Sequence, residues 1–177
     1  PGGLQIGGGM NDENAAFFLD KGASHIIVTS FVFRDGKINY DNLHKMVKVT
    51  GKERLVLDLS CRRREDAYYI VTDRWQKFTD VKLTEEVLDE LSGYCDEFLI
   101  HAVDVEGKSS GIEADIAALL GGWSGIPVTY AGGVGSIEDL RQLKRLGRGK
   151  VDVTIGSALD LFGGSLRFAD VLEEIGK

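Results

Sequence analysis

In the stretch Ile6-Gly7-Gly8-Gly9-Met10-Asn11 the pair Gly8-Gly9 returns 124 residues further on as Gly132-Gly133, within Ala131-Gly132-Gly133-Val134-Gly135-Ser136. Each copy follows a short aliphatic run and precedes a helix-like segment, with a start signal at Asp12 in the first and at Ser136 in the second. The next aliphatic run after each copy ends with a small hydroxyl residue, Ser30 after Thr29 in one case and Ser157 after Gly156 in the other. This is an internal repeat, and the number of units between its copies decides the fold.

Working outward, six β-branched or aliphatic runs recur: 4–6, 25–29, 54–59, 97–103, 127–131 and 151–155. Helix-like stretches with apolar residues three and four apart follow them at 12–21, 40–49, 84–91, 112–120, 137–146 and 168–175. Asp41 and Thr84 read as further start signals. Strict alternation with nearly continuous apolar strands predicts an α/β fold with a parallel sheet covered by helices, either a doubly wound open sheet or a closed (β/α)8 barrel, the TIM barrel. Four strand–helix units separate the two glycine copies, so the two-fold repeat selects the barrel made of two half-barrels. Six βα units are present, strands three to eight, so residues 1–177 read as a single domain forming the C-terminal three quarters of that barrel. Pro1-Gly2-Gly3 runs almost directly into a strand without an initiator Met and reads like a cut end, with two units expected before it.

Composition sets the class. The 177 residues fit one domain, and 43% apolar with 28% charged residues is ordinary globular usage. Lys and Arg number 21 against 28 Asp and Glu, a net charge of −7, and Arg62-Arg63-Arg64 is the one dense basic run. No nucleic-acid partner is expected on that balance. Cys61 and Cys95 stand too far apart for a disulfide framework or a paired-thiol zinc site, and reduced thiols are expected. No run of about 18 apolar residues and no secretory leader occurs, so no membrane partner is expected.

Glycines at the C-terminal end of a strand let backbone N–H groups gather round an anion, and the following helix turns its positive end to the same place. Gly8, Gly9, Thr29 and Ser30 therefore form one candidate phosphate cradle, and Gly132, Gly133, Gly156 and Ser157 a second. A bisphosphorylated small molecule is the expected ligand, and bulk at Gly133 is expected to weaken its binding far more than it disturbs folding. Between the cradles, Leu55-Val56-Leu57-Asp58 sets a carboxylate at the end of an apolar strand, where a barrel enzyme keeps its catalytic groups. Burial there would raise its pKa and suit it to general-acid work. The next strand brings His101, Asp104 and Glu106 toward the same end, of which one or two can be central. The long segment 60–82 alternates like a small hairpin and carries Trp75, placed either to stack on a planar heterocycle as a lid closes or to pack the loop down. His25, His44 and Trp123 read as structural.

Several of these motifs in this order, Gln5-Ile6-Gly7-Gly8-Gly9, Val56-Leu57-Asp58-Leu59-Ser60-Cys61-Arg62, Trp75-Gln76-Lys77-Phe78, His101 through Gly107, Tyr130-Ala131-Gly132-Gly133 and Gly156-Ser157-Ala158-Leu159-Asp160, carry a resemblance. The chain resembles the phosphoribosylformimino aminoimidazole carboxamide ribotide isomerases of histidine biosynthesis in their plant and fungal form, over essentially its whole length. The resemblance implies a duplicated TIM barrel and an Amadori rearrangement: acid-catalysed opening of an aminoaldose ring, then removal of the C2 proton to give an aminoketose. It implies no cofactor and no metal. Asp58 matches the family's acid, with Asp104 or Glu106 in the position some members use instead. The family's base lies on its first strand, which would precede Pro1, so the 177 residues alone are expected to be inactive without the missing N-terminal units or a chain supplying them. Asn11 stands where many bacterial members have Arg, which leaves the first phosphate to backbone amides. The sister cyclase, imidazole glycerol phosphate synthase, and a non-catalytic phosphate-binding or interaction fragment are the alternatives. The compartment implied is the cytoplasm, or the plastid stroma for a plant source.

Overall fold

A computed structural model describes residues 2–107 and 111–176; Pro1, with the reading attached to it, lies outside them. The chain divides into two compact units, residues 1–100 with 125–127, and residues 101–124 with 128–177.

The first unit contains β1 (Gln5–Ile6), α1 (Ala15–Asp20), β2 (His25–Val28), β3 (Phe33–Arg34), β4 (Lys37–Ile38), α2 (Tyr40–Thr50), β5 (Leu55–Asp58), β6 (Cys61–Arg64), β7 (Ala67–Thr72), β8 (Lys77–Lys82), α3 (Glu85–Ser92) and most of β9 (Glu97–His101). Strands β1, β2, β5 and β9 lie side by side in that order, every pairing parallel. Leu55, Val56 and Leu57 are all fully buried, so β5 is covered on both faces, which is why its sequence is a continuous apolar run. Helix α2 buries Leu43 and Met46, and α3 buries Leu88 and Leu91, at the three-residue spacing that keeps one face toward the sheet. Thr84 caps α3 by accepting from the Val87 N–H at 3.4 Å.

Three local expectations are corrected. Helix α1 starts at Ala15 rather than at Asp12, because Asn11 Oδ1 accepts from the N–H groups of Glu13 and Asn14 at 3.0 and 3.1 Å and holds residues 11–14 in a turn. Helix α2 is capped by Asn39, which accepts from the Asn42 N–H at 3.1 Å, while Asp41 sits in the first turn. Segment 60–82 is a three-stranded antiparallel meander, β6-β7-β8, rather than a small hairpin. Its inward side chains, Cys61, Ile70 and Thr79, are buried. Its other face interleaves Arg62 over Phe78 and Arg64 over Tyr69, the latter at 3.9 Å.

The second unit contains α4 (Ala114–Gly122), β10 (Val128–Ala131), α5 (Ile137–Leu146), β11 (Val151–Thr154) and α6 (Phe168–Ile175). Strands β10 and β11 pair in parallel from Val128 opposite Val151 to Ala131 opposite Thr154. Ser136 caps α5, accepting from the Asp139 N–H at 3.2 Å. Buried Tyr130 accepts from the Glu113 N–H at 2.9 Å, which fixes the entry to α4, and buried Trp123 closes that helix at its C-terminal end. Apart from the antiparallel β3–β4 pair and the β6-β7-β8 meander, strands thus alternate with helices in an α/β fold whose remaining pairings are parallel in each unit. Among the described residues, no helix is long and apolar enough to cross a membrane.

Candidate active site

In the first unit, the turn after β1, the end of β2, the end of β5 and the tip of the meander line one cavity of about 640 Å³. Six of the residues singled out from the sequence meet there: Gly8, Gly9, Thr29, Ser30, Asp58 and Trp75. Asp58 is half-buried because β5 emerges from the core at that residue. Each of its carboxylate oxygens accepts a hydroxyl hydrogen bond, Oδ2 from Thr29 at 3.2 Å and Oδ1 from Ser60 at 2.8 Å. Hydroxyls can rotate to donate or accept, so this pair of neighbours can accompany the group in either protonation state.

Trp75 reaches this carboxylate through Ser60: its indole N–H donates to Ser60 Oγ at 3.3 Å. The turn that carries it has three successive non-glycine residues in the left-handed region, Asp73, Arg74 and Trp75, with φ of 51°, 55° and 68°. Such backbone costs about 1 kcal/mol or more per residue and persists where surrounding contacts hold it. Here the Asp73 carbonyl accepts from the Gln76 N–H at 3.3 Å, Lys77 pairs with the Asp73 carboxylate at 2.6 Å, and Arg62 donates to the Trp75 carbonyl at 3.5 Å. The result is a tryptophan one third exposed at the rim of the cavity, with Arg74 beside it in the lining.

Sequence reasoning missed Ser60 and Arg74. The signal for Ser60 was its position two residues beyond Asp58, which in extended chain puts both side chains on one side. No comparable signal marked Arg74. The Asn11 and Asn14 side chains, interlocked through their backbone N–H groups and tied by Asn14 to the Gly9 carbonyl at 3.0 Å, shape the first cradle in a way no spacing rule foretold.

In the second unit the glycines divide by role. Gly132 and Gly133 are buried with φ of 119° and 75°, and a Cβ would stand 2.6 Å from the Ala102 carbonyl oxygen at the first and 2.0 Å from the Gly111 carbonyl oxygen at the second. Close backbone packing demands glycine there. The expectation that bulk at Gly133 would spare the fold is therefore corrected. Gly156 and Ser157 are exposed, with nothing within 4 Å of a Cβ at Gly156. At the start of α5 the Gly135 N–H already donates to the Asp139 carboxylate at 2.9 Å.

His101 Nε2 pairs with Glu106 at 3.1 Å, and Asp104 lies half-buried on the short turn Val103–Val105 between them. His25 pairs with Asp96 at 3.2 Å and His44 packs on Tyr94, both away from the cavity lining. Cys61 and Cys95 are both buried, and burial pushes the Cys95 thiol up to about 12. Among the described residues, no group of three or more His, Cys, Asp or Glu is arranged to hold a metal ion.

Comparison with known proteins adds to this geometry. The family model described as histidine biosynthesis protein matches residues 2–166. The chloroplastic 1-(5-phosphoribosyl)-5-((5-phosphoribosylamino)methylideneamino)imidazole-4-carboxamide isomerase of Medicago truncatula is 56% identical over 172 residues, covering 97% of this chain and 55% of its own length. The isomerases of the same name from Yarrowia lipolytica and Saccharomyces cerevisiae are 47% and 44% identical, covering 98% and 94% of this chain and 69% and 66% of their own lengths. The chain thus spans between about half and two thirds of the curated relatives it matches.

Proposed function

The chain belongs to the histidine biosynthesis protein family, and from that membership we propose that it serves the aldose–ketose isomerisation for which its relatives are named, with Asp58 as the general acid. The substrate proposed is the relatives' own, a ribosylaminoimidazole carboxamide with a phosphate at each end; the phosphate site proposed in the first unit is the Gly8-Gly9 cradle with Thr29 and Ser30, and that proposed in the second unit is Gly132-Gly133 with Gly156-Ser157. Asp58 gives its proton to the ring oxygen of the aminoaldose as the bond from that oxygen to C1 breaks, leaving an open-chain imine. Loss of the C2 proton to a second group gives an enolamine, and its tautomerisation gives the aminoketose. Asp104 is the alternative acid. Trp75 covers the heterocycle. The wider reading takes the alternating strands and helices as part of a duplicated (β/α)8 barrel, supported by the repeat of Gly8-Gly9 in Gly132-Gly133. With a chloroplastic relative, the plastid stroma is the compartment proposed for a plant source and the cytoplasm for any other.

One observation carries the assignment: a carboxylate at the end of a buried strand, held by two hydroxyls in the lining of a cavity that also holds the glycine cradle. Turnover by Asp58→Asn tests it, because the amide keeps the shape and removes the transferable proton. A fall in kcat of at least about 100-fold is expected, the scale of acid–base groups, with Asp104→Asn mild. A crippling Asp104 change beside a mild Asp58 change would move the acid to the other carboxylate.

A further inference from the structure

Ser60 is fully buried, and both its backbone and its side chain are spoken for. Its carbonyl accepts from the Val71 N–H at 2.8 Å, which ties it to the middle strand of the meander. Its hydroxyl oxygen accepts from the Trp75 indole at 3.3 Å and its hydroxyl hydrogen goes to Asp58 Oδ1 at 2.8 Å. An indole N–H can only donate, so it settles the sense of the whole chain. Were Ser60 to turn and accept from Asp58 as well, its own hydrogen would need a third partner in a position closed to water, at the cost of an unsatisfied buried donor.

A carboxyl that is to act as an acid carries its proton on one oxygen at a time. With Oδ1 receiving the Ser60 hydroxyl, the proton belongs on Oδ2, the oxygen beside Thr29, whose partly exposed hydroxyl lines the cavity and is free to rotate from donor to acceptor. We propose that Ser60 is a positioning residue for the reaction: through it, docking of the Trp75 turn fixes the acidic proton of Asp58 on Oδ2, so that the acid is set only when the meander is seated. This rests on Asp58 being the acid. It gives Trp75 a role in its N–H group that is separate from any stacking by its ring.

The two roles come apart by substitution. Trp75→Phe keeps an aromatic face and removes the donor, and at 38% exposure the substitution is expected to leave the fold intact. Ser60→Ala removes the relay itself. In the full protein, Ser60→Ala is expected to lower kcat about tenfold with KM within about twofold, and Trp75→Phe to lower kcat by a smaller factor. The double variant is expected to be no slower than Ser60→Ala alone, since the indole acts on Asp58 only through the hydroxyl. Losses that multiply in the double variant, or a Trp75→Phe effect confined to KM, overturn the proposal. Should Ser60→Ala not fold, the kcat of Trp75→Phe decides alone, an unchanged value counting against. Asp58→Asn run beside them separates the two failures: if it is silent, the acid assignment falls and the relay with it; if it is crippling while Ser60 and Trp75 act independently, only the relay falls.

Discussion

Gly133→Ala should unfold what Gly156→Ala leaves intact, although both glycines belong to the same candidate phosphate cradle. At Gly133 the new Cβ would lie 2.0 Å from the Gly111 carbonyl oxygen and 2.8 Å from Val105 Cγ2, where ordinary contact begins near 3.4 Å. Relief requires a backbone shift of roughly 1 Å or more, and overpacking of this kind costs about 1–3 kcal/mol. The left-handed φ of 75° adds about 1–2 kcal/mol for any residue with a Cβ. Together these come to about 2–5 kcal/mol, and at about 2–4 °C per kcal/mol for a chain of this size the expected fall in Tm is roughly 4–20 °C. Gly156 has neither a left-handed φ nor any atom within 4 Å of the added carbon, so its Tm should stay within about 2 °C. Gly8, left-handed at 90° but open, should fall between, with a loss of about 1 kcal/mol. Thermal melts by circular dichroism rank the three, and substrate titration on Gly156→Ala then reads binding without a folding artefact, as a raised KM. A Gly133→Ala protein melting with the wild type would refute the packing argument.

Other outcomes follow from the same contacts. Ser136→Ala removes the hydroxyl that caps α5 and should cost about 1 kcal/mol in denaturant unfolding, while Ser136→Asn, another good cap, should restore most of it. The Cys95 thiol, ordinarily ionising near 9.0, is pushed by burial to about 12, so the unfolded chain loses its proton first. Stability should therefore hold below about pH 9 and decline between pH 9 and 12, by at most about 1.4 kcal/mol per pH unit from this group. Cys95→Ala should flatten that slope, and an unchanged slope in urea titrations would discount the thiol. Neither buried cysteine should react with a thiol reagent until denaturant is added.

Regular elements were most legible where side chains alone decide them. Helices α5 and α6 run over the residues their periodicity marked, because Ser136 opens the first and apolar residues three and four apart lie along both. Helix α1 was misread because Asp12 and Asn11 are both good caps, and only the fold reveals that Asn11 takes the two N–H groups. The meander was half-read: alternation showed strands, but its two turns use Glu65, Asp73, Arg74 and Trp75 at positive φ, with no glycine to announce them. In the site, Asp58 was visible as a charge breaking an apolar run. Ser60 was not, since a serine after a strand looks like any loop residue until its burial and two partners are known. The glycine repeat was legible as a pattern but not as physics, because whether a glycine faces ligand or backbone depends on what packs against it from elsewhere in the chain.

Strand β5 passes into β6 with only Leu59 and Ser60 between them, so the sheet that carries the carboxylate and the meander that carries the tryptophan share one continuous, buried piece of backbone. Changes of chain length will be felt very differently along it. One residue inserted between Asp58 and Cys61 would reverse the inward and outward sense of β6 and turn Cys61 to solvent. The exposed turn at Glu65-Asp66 has no such coupling, and lengthening it should leave the register on either side untouched. A library that grafts new loops onto this protein, or a lineage that has acquired them, should therefore vary in length at residues 65–66 and hold length fixed at 59–60.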